Sequence, residues 1–173
     1  MNRCAYATKC IMKFLCVRIR ITCMDTLAVS LDFLEFPPTY TCDGRDESPR
    51  IRIKGLSAES VAVMAINPFI KSCCSFTTWI IWNIDPVEVI PSGIPKTDVV
   101  AAPISAVQGR NDLGTIGYSG PCPPRGSTHR YSFKVYGLDS MLKLAPGSNK
   151  ADLIGAMRGH VVQFGDTVGM YTR

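Results

Sequence analysis

Cys122, Ser127, His129 and Tyr131 crowd into one short stretch, YSGPCPPRGSTHRY, running from Tyr118 to Tyr131. A thiol or hydroxyl beside an imidazole is the pairing that nucleophilic catalysis uses, and it needs only hydrogen-bond contact. Cys122, however, is hemmed by Pro121 and Pro123, so no following amide N–H is present to complete an oxyanion hole with its own. Binding suits the same residues better. Glycines at 120 and 126 let a ligand approach the backbone, and prolines at 121, 123 and 124 lower the entropy cost of ordering the loop. His129 and the Tyr131 hydroxyl are donors that fit a phosphate or a carboxylate. The competing reading is a core histidine satisfied by a carbonyl, and composition alone leaves the two open.

Little else in the chain carries chemistry. G-x-S-x-G, H-E-x-x-H, Walker and G-x-G-x-x-G patterns are missing from the sequence. His160, the second of two histidines, follows a helix stop and reads as a packing or capping residue. We therefore expect no catalysis, with a Cys122/His129 hydrolase as the weakest alternative. The eight cysteines do not make a small disulfide scaffold in a chain of 173 residues. Cys4, Cys10, Cys16 and Cys23 lack the paired spacing of a zinc site, Cys73 and Cys74 are adjacent, and Cys42 and Cys122 sit in turns. Free thiols are the expectation, and neither metal nor cofactor is implied.

Composition bounds the rest. A hydrophobic fraction of 46% and a charged fraction of 19% describe an ordinary soluble domain. The net charge of +5 is scattered, with no basic run of five or more, which argues against nucleic-acid binding. No apolar run approaches the roughly 18 residues that span a bilayer. Residues 1–23 read as a doubtful N-terminal extension ahead of one domain at 24–173, with Met24 as a possible start. The basic opening and the short apolar IMKFLCV, interrupted by Lys13, allow a cleaved leader. Cytoplasmic location is the expectation, with secretion the minor alternative.

The elements that must position the loop are mostly strands. RIRIK (Arg50 to Lys54) alternates strictly, SVAVMAI (Ser60 to Ile66) reads as a strand buried on both faces, and TTWIIWNI (Thr77 to Ile84) follows as another. In HRYSFKVYGL, Tyr131, Phe133 and Val135 share one face with His129, so the imidazole is expected to turn toward the apolar side beneath the proline loop. Between Asp85 and Thr128 regular pattern is scarce, yet seven of the twelve prolines and six of the fourteen glycines fall there. So long an irregular connection has a function or wraps the core. NKADLIGAMRG is the one convincing helix: Asn149 caps it, Asp152 completes a capping box, Gly159 ends it, and Leu153, Ile154 and Met157 form its core stripe. HVVQFGDTVGMYTR closes the chain as a strand.

Three segments carry a resemblance. FPPTYTCDGRDESPRI, the long AVQGRNDLGTIGYSGPCPPRGSTHRYSFKVYGLD and NKADLIGAMRGHVV resemble the phosphatidylethanolamine-binding protein family, including its prokaryotic Raf-kinase-inhibitor-like branch, from about Phe36 to Arg173. The resemblance implies a mostly β fold, a sandwich of two antiparallel sheets with Greek-key connections and one or two short helices. It also implies a small pocket for phosphate-like anions, lined by His129 and Tyr131 and rimmed by Gly120, Cys122, Pro123 and Pro124. Arg130, on the opposite face, is implied to make a structural ion pair.

The other pocket wall departs from the family. Where the family has DDPDAP this chain has INPFIK, so Asn67 stands for a pocket aspartate and Phe69 for the next acid. Where prokaryotic members have THW this chain has Thr77–Thr78–Trp79, and Thr78 replaces a histidine. Asn67 is expected to donate hydrogen bonds to an anion without repelling it. Thr78 is expected to donate a neutral bond, about half as strong as a charge-assisted one. The resulting site is a weaker, less pH-dependent anion site, or a vestigial one. Family members implied by the resemblance modulate partners without catalysis. The expected function is thus inhibition or regulation of a serine protease or kinase by binding, with phospholipid-headgroup or small-anion binding as the alternative. For a protease, the Pro91–Pro103 stretch and the NPFIKSCCS loop, with Phe69 as an apolar anchor or packed inward, are the candidate contacts. A homodimer is possible by likeness to the prokaryotic branch.

Overall fold

A computed structural model describes residues 25–68 and 75–173. In chain order the strands are β1 (Asp25–Thr26), β2 (Ala28–Leu31), β3 (Ile51–Lys54), β4 (Ser60–Asn67), β5 (Phe76–Ile84), β6 (Val89–Ile90), β7 (Val99–Val100), β8 (Ala106–Gln108), β9 (Thr128–Leu138) and β10 (Val161–Thr172), with α1 (Lys150–Met157) between the last two. They form a seven-stranded sheet ordered β1-β10-β9-β4-β5-β8-β7 and a three-stranded sheet ordered β2-β3-β6. Every pairing is antiparallel except the short β1–β10 contact.

The pattern of each strand follows from what covers it. β3 alternates buried and exposed because only one of its faces meets the core. β4 is buried at every position, since its sheet is covered on both sides and leaves the middle strand no solvent face. One apolar layer lies between the sheets and includes Ile51, Ile53, Val61, Val63, Trp79, Ile81, Phe133 and Val135. A second, on the outer face of the large sheet, joins Ala62, Met64, Ile80 and Trp82 to Leu153 and Met157 of α1. Asn149 caps α1 by accepting from the amides of Ala151 at 2.8 Å and Asp152 at 3.1 Å, and the Asp152 carboxylate returns a bond to the Asn149 amide. Ile154 departs from the expected core stripe: it is 39% exposed, because the sheet beneath that turn is left uncovered.

The irregular stretch after β5 holds only the short strands β6, β7 and β8. Two buried amides fasten it. Gln108 accepts from Trp79 Nε1 at 2.7 Å and donates to the carbonyls of Pro95 and Thr97, both at 2.7 Å. Asn111 donates to the Thr78 and Gly117 carbonyls and accepts from the amides of Leu113 and Thr115. Buried polar groups are satisfied in this way because an unpaired one costs about 1–3 kcal/mol. The wrapping loop is therefore held in one shape.

The 1–23 extension, with Cys4, Cys10, Cys16 and Cys23, lies outside the described residues, as do Phe69, Cys73 and Cys74. Among the described residues no helix is long and apolar enough to cross a membrane, and no cluster of three metal-ligating side chains occurs.

Candidate functional site

The loop from Gly120 to Ser127 is fixed from below by the segment Tyr40–Asp46. Tyr118 donates its hydroxyl to the Tyr40 carbonyl at 2.9 Å, and Cys42 N–H donates to the Pro121 carbonyl at 3.2 Å. Gly120 N–H donates to Asp46 Oδ1 at 2.5 Å. A Cβ on Gly120 would lie 2.3 Å from the Tyr40 carbonyl oxygen, so only glycine lets the two backbones pass. Gly126 turns the loop back with φ of 79°, where a side chain is strained. Its amide donates to the Arg173 carbonyl, and the Arg173 amide donates to Ser127.

A covalent tie completes this base. Cys42 and Cys122 form a disulfide, with their Cα atoms 5.4 Å apart. The expectation of free thiols fails at these two positions, because the loop geometry sets two distant turns side by side. The same bond removes Cys122 as a nucleophile. Beside it, Arg173 donates to Cys122 Sγ at 3.3 Å and pairs with Asp43 at 3.1 Å. Asp43 also accepts from the Tyr171 hydroxyl at 2.6 Å. That bond, ahead of the bond and charge of Arg173, holds the Asp43 carboxyl below the usual carboxylate range against its partial desolvation.

Above this base lies a hollow of about 780 Å³ lined by Asn67, Thr78, Gly120, Cys122, Pro123, Pro124, His129 and Tyr131. The residues expected to line and rim the pocket therefore meet in one place. Ser127, named above as a hydroxyl beside the imidazole, lines it too, and so do Phe76 and Leu113, which were not anticipated. Phe76 shares the strand parity of Thr78 on β5, a signal that was legible. Leu113 and Ser127 sit on loops where no periodicity points to a face.

The parity of β9 turns His129 and Tyr131 to the same side, as expected. His129 is half-buried and Tyr131 is 3% exposed. His129 Nδ1 lies 2.9 Å from Asn67 Nδ2. An amide nitrogen only donates, so Nδ1 accepts, and the neutral ring carries its proton on Nε2. Burial pushes the Tyr131 hydroxyl up, while the Cys122 backbone and the Asn67 side chain oppose that shift. Asn67 thus orients the His129 ring and also lines the hollow, where a direct donor to a ligand had been expected of it.

Thr78 also departs from its expected role. Its hydroxyl donates to the Ala65 carbonyl at 3.3 Å within the sheet, so its proton is spent and its oxygen can only accept. Arg130 is exposed opposite Met170 on β10. Among the described residues it closes no ion pair, because its cross-strand neighbour carries no charge. His160 is exposed and pairs with Asp139 at 2.7 Å, which places it at the end of α1 and away from the hollow.

A mostly β fold of two sheets, with a hollow walled by a cross-linked proline loop, defines the class of fold, and comparison narrows it. The sequence profile of the phosphatidylethanolamine-binding proteins matches residues 30–172. A UPF0098 protein of Pyrococcus abyssi is 52% identical over 140 residues, spanning 79% of this chain and 78% of that one. The crystal structure of a phosphatidylethanolamine-binding protein homologue from Chlamydia trachomatis superposes with a TM-score of 0.74 at 29% identity, covering 86% of this chain and 99% of its own. Escherichia coli YbcL, described as a new member of the mammalian family, does so with a TM-score of 0.75 at 25% identity, covering 85% and 98%. The chain belongs to the phosphatidylethanolamine-binding protein family.

Proposed function

We propose that this protein is a non-catalytic regulator that acts by binding, and that its hollow accepts the phosphate-like group of an organic anion. The observation that carries this reading is the pair of donors, His129 Nε2–H and the Tyr131 hydroxyl, set in a hollow with no carboxylate in its lining. A volume of about 780 Å³ is that of a small-molecule site and far exceeds one inorganic phosphate. Phe76, Leu113, Pro123 and Pro124 give it apolar walls for the organic part of a ligand. Cys122 is held in a disulfide and so does not serve as the nucleophile of a Cys122/His129 hydrolase.

By family likeness the regulated partner is a serine protease or a kinase. The exposed stretch from Pro91 to Pro103 is the proposed contact segment. Phospholipid headgroups are the second reading, favoured by the apolar walls beside the donors.

The test is a sulfate titration followed by NMR, since sulfate stays dianionic across neutral pH. The natural chain is expected to bind sulfate with the His129 Nε2–H as a donor. His129→Ala should weaken binding about tenfold, the loss of one strong hydrogen bond. Asn67→Asp reverses the polarity of its bond: a carboxylate accepts from Nδ1–H and leaves the Nε2 lone pair facing the ligand. Binding in that variant should survive only where the ring takes a second proton, and fall as pH rises. Sulfate that moves no signal near His129, or an Asn67→Asp profile identical to the natural one, refutes the anion site. Inhibition assays against chymotrypsin-like and elastase-like proteases and kinases, run beside headgroup binding, separate the two readings.

A further inference from the structure

A second hollow opens on the opposite side of the large sheet, between α1 and the outer faces of β4 and β9. Its volume is about 380 Å³. Met64 and Ile66 of β4 and Tyr136 of β9 form the floor, while Ile154 and Met157 of α1 form the wall. Three cations surround this apolar trough: Lys134 on β9, and Lys150 and Arg158 at the two ends of α1. No carboxylate lines it. Among the described residues none of the three forms an ion pair, and Lys150 is fastened only to the carbonyl and hydroxyl of Ser75. Asp166 faces Lys134 across the β9–β10 register, and its charge adds to burial in raising the Tyr136 hydroxyl, but it lies outside the lining.

An apolar trough rimmed by cations offers a site for a tail beside a site for a charged head, and one kind of occupant uses both. We propose that the trough binds a single-tailed anionic amphiphile, a medium-chain carboxylate, with its head at Arg158 and Lys134 and its tail along Met64, Ile66 and Ile154 toward Lys150, which stays bonded to Ser75 at the far end. The dimensions agree. Lys150 and Arg158 are eight residues apart, about 12 Å along a helix, which suits a chain of roughly 8 to 10 carbons. A trough this narrow does not hold the paired tails of a bilayer lipid. The cations at its rim select a charged head over a neutral one.

The trough is separate from the hollow at His129, with the large sheet between them, so the two ligands are expected to bind independently. The probe is sodium octanoate, followed by methyl NMR on the full chain, with 1-octanol as the neutral counterpart. Octanoate should shift the methyl signals of Ile154, Met64 and Met157 saturably, and saturating sulfate should not displace it. Octanol should bind at least fivefold more weakly. Ile154→Glu places a carboxylate at an exposed position and should weaken octanoate at least tenfold. The pair Lys134→Gln and Arg158→Gln, which leaves the apolar floor intact, should weaken octanoate at least fivefold and octanol little. Shifts confined to Thr78, Leu113 and His129, equal binding of octanol, or indifference to both sets of substitutions overturns the proposal. So does cosedimentation with anionic vesicles in the absence of any octanoate binding, which would make the cations a membrane-facing patch.

Discussion

Reducing the Cys42–Cys122 disulfide tests how the rim of the main hollow is held. The bond joins residues 80 apart in sequence. Loop-closure entropy for a ring of that size is about 15 cal/mol/K, or about 4.5 kcal/mol at 25 °C, taken from the unfolded chain. In a domain of this length each kcal/mol corresponds to roughly 2–4 °C, so reduction should lower Tm by about 10–15 °C. The native loop has other ties: Gly120 N–H to Asp46, Cys42 N–H to Pro121, and Gly126 N–H to Arg173. Because those bonds remain, anion affinity at 25 °C should change less than threefold on reduction. Thermal unfolding with and without a phosphine reductant, on the natural chain and on Cys42→Ser/Cys122→Ser, separates the two effects. The double variant should start at the lower Tm and ignore the reductant. If mass analysis shows the bond broken and Tm moves by less than about 3 °C, the bond is not constraining the unfolded chain. If affinity collapses while Tm holds, the cross-link shapes the native hollow and the entropic account is wrong.

Gly120→Ala forces a methyl to within 2.3 Å of the Tyr40 carbonyl oxygen and should cost about 1–3 kcal/mol together with anion affinity. Gly126→Ala meets no atom within 4 Å, so it should cost only the left-handed strain, about 1–2 kcal/mol; chemical denaturation compares them. Alkaline pH should destabilise the fold from about pH 10 upward. Burial raises the Tyr118 hydroxyl well above its usual range and Tyr131 less so, so the unfolded chain releases those protons first and stability falls as pH rises. Tyr118→Phe should flatten that decline, and an unchanged slope of stability against pH would contradict it. Asn149→Ala removes the acceptor for two helix amides and should cost about 1 kcal/mol, with sulfate binding untouched.

The fold was legible wherever burial had one cause. Strict alternation in Ile51–Lys54 and His129–Val135 gave the faces of β3 and β9, because each meets the core on one side. The capping residues gave α1 because Asn149 and Asp152 act locally. Ile154 was misread because helical periodicity assigns a face without saying whether anything lies opposite. Cys42–Cys122 escaped notice for a related reason: redox compartment says nothing about which turns meet in space. That pairing depends on Gly120 passing over Tyr40, a tertiary event.

The site was legible in its members and not in its polarity. Strand parity and the glycine–proline loop, with the family resemblance for Asn67 and Thr78, led to side chains that lie around one hollow, yet parity cannot say which protons are already spent. The sheet consumes the Thr78 proton at Ala65, and Asn67 gives an N–H to orient His129. Replacing a carboxylate by an amide at position 67 therefore does more than remove a charge. It reverses the direction of the hydrogen bond to the imidazole, which converts a ring that would accept from the ligand when neutral into one that donates to it. On the proposed anion reading, with Thr78 contributing no donor, the His129 Nε2–H is the donor whose direction one amide fixes.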